Sequence, residues 1–106
     1  MATLKEVFAG LQEKLSDPGK LKGTTAVYQF ELGGDDGGNY FVDIVDGATT
    51  VKEGVSDSPS ITISMDAGDF KDMIAGSLNP TMAFMSGKLK VKGDMALAMK
   101  LQNLLG

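Results

Sequence analysis

Hydrophobic residues recur at helical spacing near the N-terminus and alternate with polar residues in the stretch that follows. The capping-box pattern Thr3-x-x-Glu6 predicts where the first helix begins. The stripe that this helix would bury comprises Leu4, Val7, Phe8, Leu11 and Leu15, and Asp17-Pro18-Gly19 ends the helical pattern. Residues 24–32 alternate and predict a half-buried strand. Its apolar face comprises Ala26, Tyr28, Phe30 and Leu32, with Thr25, Gln29 and Glu31 mainly on the other face.

The rest of the chain predicts four more strands and three more helices. The glycine-rich residues 33–39 and the turn Asp46-Gly47 separate the first strand from strands over 40–45 and 48–55. After a loop over 56–60, a short strand is predicted over 61–65, then helices from Asp66 and from Pro80, a strand over 88–92 and a closing helix capped by Asp94. This order predicts an α+β fold, a five-stranded sheet with helices covering one face.

The closing helix is more apolar than a helix that packs with one face needs to be. At about 100° per residue, one arc holds Leu97, Ala98, Leu101, Leu104 and Leu105, and the arc beside it holds Met95, Met99 and Gln102. The leucine arc suffices for packing on a sheet, so the methionine arc predicts a second apolar neighbour. The amide of Gln102 either faces water at an edge or orients a ligand with one polar end.

Composition excludes several kinds of chemistry. The chain has no Cys and no His, which rules out disulfides, thiolate nucleophiles and zinc sites built on those residues. The net charge of −4 argues against a nucleic-acid partner. Asp66, Asp69 and Asp72 are better explained by helix capping and the helix dipole than by acid–base catalysis, and residues 33–39 lack the EF-hand spacing. We therefore expect no enzyme activity, no catalytic residue, no metal site and no cofactor.

Six of the seven methionines lie between Met65 and Met99. Unbranched, polarisable Met side chains fill irregular space and repack around variable partners. Two interpretations remain open: these residues line an adaptable apolar cavity, or they replace Leu in an ordinary core.

A second pattern in this region alternates Lys88, Lys90 and Lys92 with Leu89 and Val91. The lysines either form the solvent face of an edge strand, where charge prevents aggregation, or form a local basic strip that attracts anionic head groups.

The same region carries a long motif that closely resembles the signature end of the sterol carrier protein 2 family of lipid-binding domains. It reads Asn79-Pro80-x-x-Ala83-Phe84-x-x-Gly87-Lys88-Leu89-Lys90-Val91-x-Gly93-Asp94-Met95-x-Leu97-Ala98-Met99-Lys100-Leu101-Gln102. The order of predicted elements also agrees with this family over nearly the whole chain.

The resemblance implies a five-stranded sheet covered by helices that encloses an apolar tunnel for fatty acids, fatty acyl-CoA, sterols or phospholipids, without catalytic residues. It places eleven residues near the lipid: Phe70, Met73, Ile74, Met82, Phe84, Met85, Met95, Leu97, Met99, Leu101 and Gln102. The candidates for contact with an anionic lipid or head group are Lys88, Lys90, Lys92 and Lys100.

We therefore expect residues 1–106 to form a single, monomeric lipid-binding and transfer domain that touches membrane surfaces transiently. The alternatives are a protein-interaction or dimerisation module that uses the Met-rich closing helix, or an accessory domain of a larger lipid-metabolising enzyme. The N-terminus has no secretory signal, and no stretch approaches the roughly 20 apolar residues of a membrane span. Because the last residues, Leu104-Leu105-Gly106, are not a peroxisomal tripeptide, we expect a cytoplasmic protein.

Overall fold

Within residues 3–15, 23–34 and 37–105, which this computed structural model describes (backbone only at Lys14 and at 101–105), four helices and five strands follow one another in the predicted order. The elements are α1 (Leu4–Leu15), β1 (Ala26–Gly33), β2 (Gly38–Val45), β3 (Ala48–Glu53), β4 (Ile61–Asp66), α2 (Ala67–Ile74), α3 (Pro80–Met85), β5 (Leu89–Gly93) and α4 (Met95–Leu105).

The strands form one sheet in the order β3-β2-β1-β4-β5. The central strands β1 and β4 are parallel, with Tyr28 opposite Ile61, and the other neighbours are antiparallel. At the β5 edge, Ile63 lies opposite Val91. The predicted α+β architecture is confirmed, and all four helices lie over the same, inner face of the sheet.

Short polar side chains begin the helices where the sequence predicts. The Thr3 hydroxyl accepts a hydrogen bond from the Glu6 N–H at 3.2 Å and donates to the Glu6 carboxylate at 3.3 Å, which completes the capping box. The side chains of Asp66, Asn79 and Asp94 each accept from the N–H two residues further on, at 2.8, 2.8 and 2.9 Å. Each bond satisfies a backbone donor that the first helical turn leaves unpaired.

An aromatic cluster under α1 and α2 forms the centre of the core. The ring of Phe8 stacks on Tyr40 with centroids 4.3 Å apart and on Phe70 at 5.1 Å. Phe30 meets Phe8 edge-on at 5.4 Å and Phe70 at the same distance. Such pairs contribute about 0.5–1.5 kcal/mol beyond their buried area, so the cluster adds to the stability of the core.

The outer face of the sheet differs from the sequence-based expectation at Gln29. This residue lies on the expected face but is only 2% exposed, because the segment after β3 crosses over it. Its Nε2 donates to the carbonyl oxygens of Tyr40 and Gly54, at 3.1 and 3.0 Å, and its Oε1 accepts from the Ser56 N–H at 2.7 Å. The amide of Gln29 forms hydrogen bonds with backbone groups of this loop. The alternation of polar and apolar residues in β1 does not predict where the loop lies.

Some predicted boundaries also shift. The third strand ends at Glu53 instead of Val55, whose side chain is 64% exposed. The predicted helix stop at 17–19 and the acidic tip of the first hairpin at 35–36 lie outside the described residues.

Candidate functional site

An apolar cavity of about 160 Å³ lies between the inner face of β4 and β5 and the helices α2, α3 and α4. Its lining is apolar apart from one threonine, and comprises Ile63, Met73, Pro80, Thr81, Phe84, Leu89, Val91, Met95, Ala98 and Met99. A concave apolar site with few polar groups holds a ligand mainly by shape and hydrophobic contact.

The floor of this pocket is firmly fixed. Ile63 and Val91 face each other in the β4–β5 register, and side-chain alternation turns both toward the helices. Met73 of α2 closes one side. Ile63 and Met73 are 2% and 3% exposed, so they belong to the core as well as to the pocket.

The rim is formed by side chains that the rest of the domain leaves uncovered. Phe84 of α3 is 47% exposed, and Met95 and Met99 of α4 are 48% and 64% exposed. Met95 and Met99 of the closing helix therefore face α3 across the pocket, and the second apolar neighbour expected from the sequence is only partly present. The pocket opens to solvent between α3 and α4.

Four of the residues predicted to contact lipid line this pocket: Met73, Phe84, Met95 and Met99. The side chains of Leu101 and Gln102 lie outside the described residues, so their predicted contact with a lipid stays a prediction.

The other predicted residues lie elsewhere. Phe70 is 0% exposed within the aromatic cluster, and Ile74 and Leu97 pack half-buried against the core. Met82 and Met85 of α3 are 63% and 77% exposed and are not among the lining residues. In the pocket as it stands, therefore, a lipid would meet only part of the predicted set.

The lysines predicted to contact head groups are not among the lining residues. Lys90 and Lys92 are exposed on the face of β5 opposite to the pocket, because they alternate with Leu89 and Val91. Lys88 is exposed just before the strand. Contact between these side chains and anionic lipids stays a prediction.

Two interactions join α4 to β1 and to the residue Thr24 just before it, and sequence patterns singled out neither. The Tyr28 hydroxyl donates to the Leu97 carbonyl oxygen at 2.9 Å, and the Lys100 ammonium donates to the Thr24 hydroxyl. Burial, and secondarily the carboxylate of Asp94, raises the pKa of Tyr28 to about 12, so the hydroxyl keeps its proton at physiological pH. The apolar face of β1 signalled a buried Tyr28, but its partner on α4 depends on the tertiary fold.

Other kinds of site can be tested against the described part of the chain. There, no group of three or more acidic side chains lies close enough together to bind a metal ion. None of the described helices is both long enough and apolar enough to cross a membrane. Every buried side-chain nitrogen and oxygen among the described residues has a hydrogen-bond partner, which leaves shape and apolar contact as the recognisable properties of the pocket.

A five-stranded mixed sheet with four helices over one face and an open apolar pocket beneath the last helix defines a small lipid-binding domain of the sterol carrier type. The model of the SCP-2 sterol transfer family matches residues 4–106, and the chain belongs to this family. The resemblance found in the C-terminal motif is thereby confirmed, and lipid binding and transport are properties of the class. The enclosed tunnel remains a prediction.

The chain is also similar to part of a longer protein. It is 48% identical over 103 residues to hydroxysteroid dehydrogenase-like protein 2 from Homo sapiens, which covers 96% of this chain and 24% of that protein. The chain therefore spans about a quarter of the length of the curated relatives it matches.

Solved structures share the fold. Palmitated SCP2L2 from Aedes aegypti has a TM-score of 0.82 at 24% identity, covering 98% of this chain and 95% of that one. Sterol carrier protein 2 from Yarrowia lipolytica, in its apo form, has a TM-score of 0.75 at 23% identity, covering 93% and 86%.

Proposed function

We propose that this chain is a non-catalytic lipid-binding and transfer domain that holds an acyl chain, or part of a sterol, in the pocket between α3 and α4. The observation that carries the proposal is the lining, in which Thr81 is the one polar residue among ten. Floor residues from the sheet supply a rigid apolar surface, while Met95 and Met99 supply side chains that adapt to ligands of different shape.

The size of the pocket limits how such a ligand binds. An apolar cavity of about 150 Å³ accommodates a molecule the size of benzene, and the pocket measures about 160 Å³. Each buried methylene contributes about 0.8 kcal/mol, so roughly six methylenes contribute about 5 kcal/mol. Association costs of about 4–15 kcal/mol offset most of that gain or exceed it. Binding a long chain therefore requires a wider pocket, and α4 is the element whose movement would widen it.

Exposed side chains beside the rim support a transient membrane contact. Met82 and Met85 lie on the same short helix as Phe84, and both are more than half exposed. Apolar side chains of this kind insert at the surface of a bilayer. The exposed Lys88, three residues after Met85, is placed to attract anionic lipids. A lipid leaving the membrane would then enter at the rim.

Uptake of palmitate by two variants, each with one alanine of α4 replaced by phenylalanine, tests the pocket assignment. Ala98 lines the pocket and Ala96 is exposed on the same helix. Ala98→Phe places a phenyl ring in a cavity of nearly the volume that benzene needs, so palmitate uptake should fall at least tenfold. Ala96→Phe carries the same change in helix propensity, and its affinity for palmitate should stay within twofold of that of the parent protein.

Native mass spectrometry of the freshly purified protein, followed by extraction of bound lipid, is the first measurement. Titration with palmitate then gives the affinities of both variants, and circular dichroism confirms that they are folded. A folded Ala98→Phe variant that binds palmitate like the parent would refute this pocket as the lipid site. A parent protein that takes up no lipid at all would refute the proposed function.

A second candidate function is that of a lipid-presenting module within a larger enzyme. It is favoured by one observation, that the matched relatives are about four times longer and are named for dehydrogenase-like activity. The same lipid would then be bound for delivery to a neighbouring catalytic domain. Activity of the longer protein on a lipid substrate, compared with and without Ala98→Phe, distinguishes presentation from free transfer.

A further inference from the structure

Over residues 95–100, the closing helix α4 buries fewer side chains against the sheet than α2 does. Among its described side chains, residues 95–100, none is fully buried: Leu97, Ala98 and Lys100 are half-buried, and the rest are exposed. By contrast, α2 buries Ala67, Phe70 and Met73. Over residues 95–100, therefore, apolar packing accounts for less of the attachment of α4, and two polar bonds, one to β1 and one to the residue Thr24 just before it, account for more.

The first bond comes from the core. Tyr28 is 1% exposed, and its hydroxyl reaches the carbonyl oxygen of Leu97 at 2.9 Å. The ring is fixed by the core around it, so the donor has a constant position. Its proton is retained because burial raises the pKa of Tyr28 to about 12.

The second bond lies one helical turn further along α4. The Lys100 ammonium, which can only donate, bonds to the hydroxyl of Thr24, a residue that is 6% exposed. Leu97 and Lys100 are three residues apart on the helix, and Thr24 lies four residues before Tyr28, just ahead of β1. The helix therefore runs antiparallel to the start of β1 and is held at two points.

We propose that Tyr28 and Thr24 are positioning residues, a polar clasp whose two bonds to α4 set how readily this helix moves away from the pocket and so how fast lipid enters and leaves. The link to lipid exchange rests on the proposed function, whereas the effect of the clasp on α4 does not. The lining residues Met95, Ala98 and Met99 all belong to α4, so any opening of this helix enlarges the pocket directly.

Amide hydrogen exchange of the lipid-free protein tests the clasp itself. Tyr28→Phe removes the hydroxyl and keeps the ring, and the loss of one hydrogen bond should speed exchange in α4 by about three- to tenfold. Tyr40→Phe is the matched control, because the Tyr40 ring also packs in the core and its hydroxyl bonds to none of the described residues. Unchanged α4 exchange in Tyr28→Phe, or an equal rise in every element, would overturn the proposal.

The threonine offers an independent variant. Thr24→Val should also speed α4 exchange, and Thr24→Ser, which keeps the hydroxyl, should restore the parent rate. Thr49→Val is its control, since the Thr49 hydroxyl donates to the Leu15 carbonyl at 3.3 Å on the far side of the domain. A Thr24→Ser variant that exchanges as fast as Thr24→Val would show that the hydroxyl is not the holding group.

Stopped-flow displacement of a fluorescent fatty acid then measures the consequence for the ligand. Dissociation should be about three- to tenfold faster in Tyr28→Phe and unchanged in Tyr40→Phe. If the parent protein binds the probe but Tyr28→Phe releases it at the parent rate, the clasp does not control exchange. If the parent protein binds no probe, the proposed function fails while the hydrogen-exchange result still decides the clasp.

Discussion

Replacing Gly93 with alanine should dislodge the start of α4 and destabilise the domain. Gly93 joins β5 to α4 with φ at +121°, and it lies opposite Ile61 in the β4–β5 register. A Cβ atom here would lie 2.8 Å from the Ser60 carbonyl oxygen and 2.9 Å from the Ile61 Cα. Both atoms belong to the backbone of a neighbouring segment, so they cannot move aside as the end of a flexible side chain can.

Gly93→Ala combines backbone strain at a positive φ with a steric clash of the new methyl group, and a matching substitution at Gly54 separates the two effects. Its φ of +126° is nearly the same, but a Cβ added there meets no atom within 4 Å. Gly54→Ala should therefore cost only the backbone strain, about 1–3 kcal/mol. Gly93→Ala should cost about 1–3 kcal/mol more, because the methyl group forces the two backbones apart. The entropy that alanine removes from the unfolded chain is the same in both variants and cancels in the comparison.

Urea unfolding followed by circular dichroism measures the difference. With a slope of about 2 kcal/mol per molar urea, an extra 2 kcal/mol lowers the midpoint for Gly93→Ala by about 1 M below that for Gly54→Ala. Palmitate uptake should fall in Gly93→Ala alone, since the displaced backbone carries Met95 and the rest of the pocket wall. Equal midpoints for the two variants would refute the argument from the close backbone approach.

Two further predictions concern the core and the clasp. Phe70→Ala should lower the free energy of unfolding by about 3–5 kcal/mol, because the ring is 0% exposed and contacts Phe8 and Phe30; a loss below 1 kcal/mol in urea would contradict this packing. The raised pKa of Tyr28 means that its contribution to stability is present below pH 10 and is lost as the pH rises to about 12. The shift of about 2 units corresponds to up to about 3 kcal/mol, so the stability advantage of the parent over Tyr28→Phe should shrink between pH 10 and pH 12 in urea unfolding; a constant advantage would count against it.

Local sequence patterns predicted the elements because each element satisfies its own backbone and buries one face. The alternation of β1 placed Tyr28 and Phe30 in the core, and the capping residues Asp66 and Asp94 marked helix starts. The parallel pairing of β1 with β4 has no local signal, since it depends on which strands meet after collapse. Gln29 illustrates the same limit, because its burial depends on a loop that crosses from β3 to β4.

The pocket was partly predictable for a related reason. The second apolar arc of the closing helix predicted that Met95 and Met99 contact something other than the sheet, since a helix that packs with one face needs only one apolar arc. Ile63 and Val91 read only as ordinary apolar strand positions. Their place in the pocket floor follows from the β4–β5 register and from the position of α3 and α4 over it, which no periodicity contains.

The aromatic core and the pocket are held together by different kinds of interaction, and this difference is compatible with lipid uptake. The aromatic cluster beneath α1 and α2 packs rings at 4.3 to 5.4 Å and can hold the sheet whether or not the pocket is filled. In the part of the pocket half whose side chains the structure describes, exposed methionines and two polar bonds at Tyr28 and Thr24 hold α4. The neutral bond of Tyr28 contributes about 0.5–1.5 kcal/mol and the charged bond of Lys100 about 1.5–3 kcal/mol, so in the proposed mechanism α4 opens without unfolding the sheet. A lipid that fills the widened pocket would replace the lost bonds with apolar contact, which makes opening reversible.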